Sequence, residues 1–97
     1  MQLSTSQKKH LRGLAHKLKP VVTIGDKGLS PGVMEEYRNA LDHHELIKVR
    51  IRAGDRDDRD AIIAELTSDS SATLVGRIGN VATIYRARKE KPAIKLP

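Results

Sequence analysis

The stretch Leu46-Ile47-Lys48-Val49-Arg50-Ile51-Arg52 alternates apolar and basic side chains at every step. Because successive side chains of a β-strand point to opposite faces of a sheet, this period of two predicts a strand. Its apolar residues would lie on a buried face and its basic residues on the other face. The fold must therefore contain a sheet whose apolar face is covered by other elements.

The residues before this strand predict a helix and a shorter strand. Apolar side chains recur at the helical spacing of three and four residues, at Leu11, Leu14, Ala15 and Leu18. Three hydroxyl residues precede them and are candidate N-caps: Ser4, Thr5 and Ser6. Pro20 limits this helix, because the residue before a proline avoids the helical conformation. The β-branched run 21–24 then predicts a short strand.

Two further helices are predicted, one on each side of the 46–52 strand. Ser30 and Pro31 are suitable as the N-cap and first residue of a helix. Its expected buried positions are Val33, Met34, Tyr37 and Leu41. After the strand, Gly54 marks a turn and Asp55 can cap a third helix. The apolar positions of this third helix are Ile62, Ile63 and Leu66.

The last part of the chain predicts a hairpin and a tail. Residues 73–78 and 81–86 are two strand-like runs, and Gly79-Asn80 between them is a two-residue turn signal. The order helix-strand-helix-strand-helix-strand-strand predicts an α/β (α+β) two-layer domain around one four-stranded mixed sheet. We expect this domain to span residues 1–86, and residues 87–97 to form a basic, mobile C-terminal tail.

The charge of the chain favours a polyanionic partner. Its 97 residues carry a formal net charge of +6. Residues 1–27 and 71–97 each contain six Lys/Arg against one acid, whereas residues 54–70 contain two against six. The absence of Cys excludes a disulfide frame and thiolate chemistry. No apolar run approaches the roughly 18 residues of a membrane span, and no signal peptide is visible, so we expect a cytoplasmic monomer.

The loop Gly25-Asp26-Lys27-Gly28 is the strongest local motif. A G-x-x-G loop allows the backbone of a nucleic acid to approach closely, because no Cβ intervenes. The following helix N-terminus also favours anions. An ordinary strand-to-helix turn would have the same composition, and the motif taken alone favours that interpretation. Gly76-Arg77-Ile78-Gly79 has the same spacing, but there the second glycine is explained by the hairpin, and Gly76 by a bulge or close approach.

No catalytic or metal-binding pattern stands out. His43, His44 and Glu45 are adjacent, but adjacent residues rarely share one ion, and they fit a helix-to-strand junction better. The acidic run after Gly54 lacks the spacing of a calcium loop. We therefore expect no enzyme activity, no cofactor, no metal and no small-molecule substrate.

Taken in order, five segments resemble the CRM domain family (chloroplast RNA splicing and ribosome maturation). They are K-x-L-R-x-L-A-H-x-L-x-P at 9–20, V-V-x-I-G at 21–25, G-x-x-G-L at 25–29, H-E-L-I-K-V at 44–49 and G-x-V-x-x-x-Y-R at 79–86. The single-domain form is similar to the bacterial YhbY-type members. This chain has Asp26 after the first loop glycine, where the family commonly has Lys, and Lys27 follows.

The resemblance implies a fold similar to the C-terminal domain of translation initiation factor three, with a KH-like loop that contacts RNA. It also implies association with ribosomal RNA in precursors of the large ribosomal subunit, and a role in ribosome assembly. Together with the basic helix and strand faces, it predicts the following RNA-contacting residues: Gly25, Asp26, Lys27, Gly28, Lys8, Arg12, Lys19, Lys48, Arg50, Arg52 and Arg86.

Two other functions remain open at the level of sequence. The chain could be a protein-interaction module that docks on a basic ribosomal protein through Asp57, Asp58 and Asp60 of its third helix. It could also be an enzyme that acts on RNA through His43, His44 or Glu45. A DNA-binding role fits the charge, but no recognition-helix motif is evident.

Overall fold

The computed structural model describes residues 2–52 and 54–97. In chain order its elements are α1 (Thr5–Ala15), β1 (Val22–Ile24), α2 (Pro31–His44), β2 (Leu46–Ile51), α3 (Arg56–Ser70), β3 (Thr73–Ile78) and β4 (Val81–Tyr85). The strands form one sheet in the order β1-β2-β4-β3, in which β1 and β2 are parallel and the other neighbours antiparallel. The predicted element order and the α+β fold with a four-stranded mixed sheet are confirmed.

Each helix begins at a side chain that accepts a backbone hydrogen bond. Ser4 caps α1 and Asp55 caps α3, both in capping boxes, and Ser30 caps α2 with Pro31 in its first turn. The predicted caps of α2 and α3 are confirmed. The stripe predicted for the first helix is wrong at its end, because α1 stops at Ala15. Leu18 lies beyond this end and is 39% exposed, whereas Leu14 lies within α1 but on its outer side, where it is 45% exposed.

The main core lies between the sheet and helices α2 and α3. It contains the apolar residues of β2 predicted to face inward, together with Tyr37, Leu41, Ile63 and Leu66. The Tyr37 hydroxyl donates to the carbonyl of Leu66 at 2.9 Å and lies 2.9 Å from the Ser70 hydroxyl, which joins the two helices. Burial raises the pKa of Tyr37, so the phenol stays protonated as a donor. The prediction of Tyr37 as a core residue is confirmed.

Helix α1 packs on the opposite face of the sheet. Leu11 and Ala15 are buried there against Leu46, Val75 and Tyr85. The two-layer description thus holds for the sheet with α2 and α3, and α1 adds a partial third layer over one end of the other face. Sequence periodicity does not predict this third layer, because the apolar stripe of a helix does not indicate which face of the sheet the helix covers.

The segment 87–97 has neither helix nor strand, yet it is fastened to the domain. The buried carboxylate of Glu45 accepts hydrogen bonds from the amides of Arg88 (2.8 Å), Ala93 (2.6 Å) and Ile94 (3.1 Å). Ile94 and Leu96 also pack against the core under α1. The composition of the segment predicts a mobile tail, since it gives no sign of this buried acceptor on another element.

None of the helices within residues 2–52 and 54–97 is long and apolar enough to cross a membrane.

Candidate functional site

The loop 25–28 is a tight turn between β1 and α2. The amide of Gly28 donates to the carbonyl of Gly25 at 3.0 Å, and Gly28 has a φ of +68°, in the left-handed region that favours glycine. Gly25 does not have a positive φ, and a Cβ built on it meets no described atom within 4 Å. The turn therefore requires a glycine at 28 but not at 25. The open space above Gly25 allows another molecule to approach the backbone.

One end of the sheet gathers this loop, the end of β2 and the β3–β4 turn; we call it the loop end. The amide of Arg52 donates to the carbonyl of Ile24 at 2.8 Å, and the amide of Ile51 donates to that of Asn80 at 2.7 Å. Arg52 thus lies next to the 25–28 loop. Helices α2 and α3 both begin at this end; the N-terminal dipole of α2 favours anions there, whereas the first turn of α3 already carries Asp57 and Asp58.

The sheet face that carries α1 is covered only in part. Beyond the row of Leu46 and Tyr85, it presents two rows of paired residues, in which Lys48 lies opposite Thr83 and Arg50 opposite Val81. A groove of about 230 Å³ opens on this uncovered part, which we call the open sheet face. It is lined by Pro20, Lys48, Arg50, Ile78, Val81 and Thr83. This described lining contains two cations and no acid, so the basic strand face predicted from the sequence is accessible.

Arg12 connects α1 to the open sheet face. Its Nη1 donates to the carbonyl of Val75 at 3.2 Å. Its side chain crosses Gly76, where an added Cβ would stand 3.1 Å from the Arg12 Cδ. The β3–β4 pairing also shifts register between Leu74 and Gly76. The bulge and the close approach predicted for Gly76 are therefore both present, and Arg12 borders the groove, since Gly76 pairs with Thr83.

The other predicted cations divide between this surface and the far end of the sheet. Lys8 precedes Arg12 by four residues on α1, so both lie on one side of that helix. Lys19 is exposed and directly precedes Pro20 of the groove. Arg86 lies at the opposite end of β4 from the loop end. There it pairs with Asp42 and donates to the carbonyl of Ser70 at 3.3 Å, so it is not brought together with the rest.

Sequence reasoning missed a second basic cleft at the loop end. Arg56, Arg59 and Arg77 line it together with Gly79, around a volume of about 340 Å³. In the sequence, Arg56 and Arg59 are surrounded by acids, so they do not indicate a basic cleft. The β3–β4 hairpin brings Arg77 beside these two arginines only in the folded protein. Arg77 also pairs with Asp60, which reduces the charge available to an anion.

The cluster His43-His44-Glu45 does not form a catalytic arrangement. The two imidazole rings are exposed and meet edge to face, with centroids 4.7 Å apart. Burial alone would raise the pKa of Glu45, but three amide hydrogen bonds and the charge of Arg88 hold that pKa below its ordinary value. Its carboxylate is thus an ionised structural acceptor. In the described part of the chain, no group of three or more His, Cys, Asp or Glu residues is placed to bind a metal.

The geometry defines a small α+β domain with a glycine-rich loop at one end of an open, cationic sheet face. The CRS1 / YhbY (CRM) domain model matches residues 3–86, and the chain belongs to this family. It is 46% identical over 95 residues to a Haemophilus influenzae protein named RNA-binding protein, a match that covers 98% of this chain and 95% of that one. The family resemblance drawn from the sequence is therefore confirmed.

Other relatives have similar names, and one protein with a solved structure has the same fold. A protein named probable RNA-binding protein from Pseudomonas aeruginosa is 44% identical over 92 residues, covering 95% of this chain and 88% of its own. The probable RNA-binding protein YqeI of Bacillus subtilis is 34% identical over 95 residues, covering 98% and 99%. A hypothetical Staphylococcus aureus protein, described as a candidate RNA-binding protein, has a solution structure that matches with a TM-score of 0.83. It is 34% identical, and the match covers 99% of this chain and 100% of that one.

Proposed function

We propose that this protein binds RNA through the 25–28 loop and the open sheet face, and that it does so without catalysis. The observation that supports this most directly is the continuity of the two parts. β1 borders β2 along the open sheet face, where Thr23 pairs with Arg50, and β1 ends at Ile24, immediately before the loop. An RNA backbone held at the loop amides would therefore meet Arg50 and Lys48 next.

In this proposal the loop and the cations have separate roles. The space above Gly25 admits a phosphate to the loop amides, and Lys27 adds a positive charge beside it. Lys48, Arg50 and Arg12 then neutralise neighbouring phosphates. Phosphate contacts fix the position of a protein on RNA but do not read its sequence, so we expect weak sequence selectivity and strong salt dependence.

The finer proposal is that the RNA is ribosomal RNA in precursors of the large subunit, in the cytoplasm, and that binding assists assembly. It rests on the family membership and on the size and charge of the domain. The alternative of docking on a basic protein through α3 has less support. Asp58 is used in the capping box of its own helix and Asp60 pairs with Arg77. Two of the three acids needed for that docking already have partners.

The test is the binding of labelled ribosomal RNA fragments at several salt concentrations. Gly25→Asp should leave the protein folded, since a Cβ added at Gly25 meets no described atom within 4 Å. It should weaken RNA binding, because the added carboxylate repels the phosphate. Lys27→Ala should lower the slope of log K against log salt by about 0.7–0.9, the value of one phosphate contact. Ser68→Asp is the charge-matched control, since Ser68 is exposed near the end of α3, away from the loop end.

Two results would count against the proposal. If Gly25→Asp and Ser68→Asp bind RNA equally well, the loop is only a turn. If the wild-type protein binds no RNA fragment, the phosphate mechanism is wrong, and Asp57→Lys should then be tested for loss of association with basic ribosomal proteins.

A further inference from the structure

The groove on the open sheet face has a composition that phosphate contacts do not explain. Its cations, Lys48 and Arg50, accompany an apolar surface made by Pro20, Val81 and Ile78. Ile78 is 87% exposed, the largest value among the exposed large hydrophobic residues of the described chain. A single exposed apolar side chain is ordinary. Here, however, it forms one wall of a concave surface whose other members are apolar or cationic, apart from the hydroxyl residue Thr83.

We infer that this groove receives one unpaired nucleobase of the bound RNA, an inference that rests on the proposed function. An RNA base has two apolar faces and a polar edge. The side chains of Ile78 and Val81, which pair across β3 and β4, can contact a base face. Thr83 supplies the hydroxyl in the floor of the groove for the base edge. No acid lines the described groove to repel the phosphate attached to that base.

The size and position of the groove favour a single base. Its volume of about 230 Å³ is below the roughly 300–1,000 Å³ of sites for drug-sized ligands. Lys48 and Arg50 are two residues apart on β2, which places them about 7 Å apart along the strand. They can therefore hold the phosphates on either side of a base inserted between them and β3.

The inference also defines the kind of RNA that is recognised. In a double helix the bases are paired and stacked, and the narrow major groove of A-form RNA excludes side chains. Only a base in a loop, bulge or single strand can enter the groove. The aliphatic contact surface has no preference among the planar faces of different bases, so we expect selectivity for unpaired over paired RNA rather than for sequence.

The experiment compares two short RNAs that differ only in their bases: an unpaired strand, and the same strand with abasic nucleotides. Wild type should bind the strand that carries bases more tightly than the abasic strand. Ile78→Ser should weaken binding of the strand that carries bases about fivefold and leave binding of the abasic strand unchanged. The salt slope should also stay unchanged, since no charge is lost. Lys48→Gln should instead lower the salt slope by about 0.7 for both RNAs. Leu14→Ser, at a residue that is 45% exposed outside the groove, is the matched control.

Each outcome separates this inference from the proposed function. If wild type binds both RNAs equally, or if Ile78→Ser binds the unpaired strand like wild type, no base occupies the groove. The groove is then assigned to an apolar side chain of a protein partner, while RNA binding through the loop stands. If wild type binds neither RNA, the proposed function itself is wrong.

Discussion

Replacing Glu45 by glutamine tests how the C-terminal segment is attached. The carboxylate is buried and accepts amide hydrogen bonds from three residues of the segment: Arg88, Ala93 and Ile94. Glutamine has nearly the same shape but no charge, and only one of its terminal atoms is an acceptor. The substitution therefore alters the polar contacts and leaves the packing unchanged.

The expected loss follows from counting these bonds. The oxygen that serves Ala93 and Ile94 can remain, but the new NH₂ group would face the amide of Arg88, donor against donor. Hydrogen bonds to charged groups contribute about 1.5–3 kcal/mol and neutral ones about 0.5–1.5 kcal/mol. Losing one such bond and converting two from charged to neutral costs about 3.5–6 kcal/mol, a large share of the roughly 5–15 kcal/mol that stabilises a typical domain.

Urea denaturation measures the loss of global stability, and hydrogen exchange at the amides of Arg88, Ala93 and Ile94 measures release of the segment. Glu36→Gln is the control, because it removes the same charge from an exposed position on α2. If Glu45→Gln keeps the stability of wild type within about 0.5 kcal/mol and the three amides stay protected, the carboxylate does not hold the segment.

Acid should have a related effect. The pKa of Glu45 lies below its ordinary value of 4.5 in the folded protein, so this group favours folding above the unfolded pKa. That contribution is lost as the pH falls through the folded pKa. Wild type should therefore lose stability more steeply than Glu45→Gln on acidification below about pH 4.5. Parallel curves for the two proteins would contradict this reasoning.

Two other substitutions test the main core and the start of α3. Tyr37→Phe removes the hydroxyl bonded to Leu66 and should lower the free energy of unfolding by about 0.5–1.5 kcal/mol in urea titrations; no change would mean that the bond is not formed in solution. Gly54→Ala forces a side chain onto a residue with a φ of +64°, with its Cβ only 2.4 Å from that of Asp58. It should cost about 1–3 kcal/mol by calorimetry, and Gly25→Ala, which has open space, should cost under about 0.5 kcal/mol; equal losses would refute the steric argument.

Much of the fold could be predicted from the sequence, because many of its features depend on residues that are close together in the chain. The alternation in 46–51, the Ser30-Pro31 helix entry, the Asp55 cap and the Gly79-Asn80 turn each depend on residues within a few positions of one another. These features are determined by backbone geometry and capping chemistry, which act at short range. They were sufficient to order the elements and to place the basic residues of β2 on one face.

The features that sequence reasoning missed depend on contacts distant in the chain. The groove is formed where Pro20, β2 and the β3–β4 hairpin come together, and no local sequence pattern predicts that contact. The attachment of the C-terminal segment joins residues more than forty positions apart. Arg86 is predicted from the sequence to contact RNA, but it pairs with Asp42 of another element at the far end of the sheet.

The segment 44–49 combines several structural roles within six residues. Glu45 ends α2 with a φ of +63°, a conformation that usually costs about 1–3 kcal/mol outside glycine. A glycine would remove that strain but also the carboxylate that holds the C-terminal segment. The next residue, Leu46, is buried under α1, while Ile47 and Val49 are buried under α2 and α3. Lys48, between them, lines the groove. Residues 45–49 thus meet several different physical requirements, so changing any of these five would disturb either the fold or the proposed RNA surface.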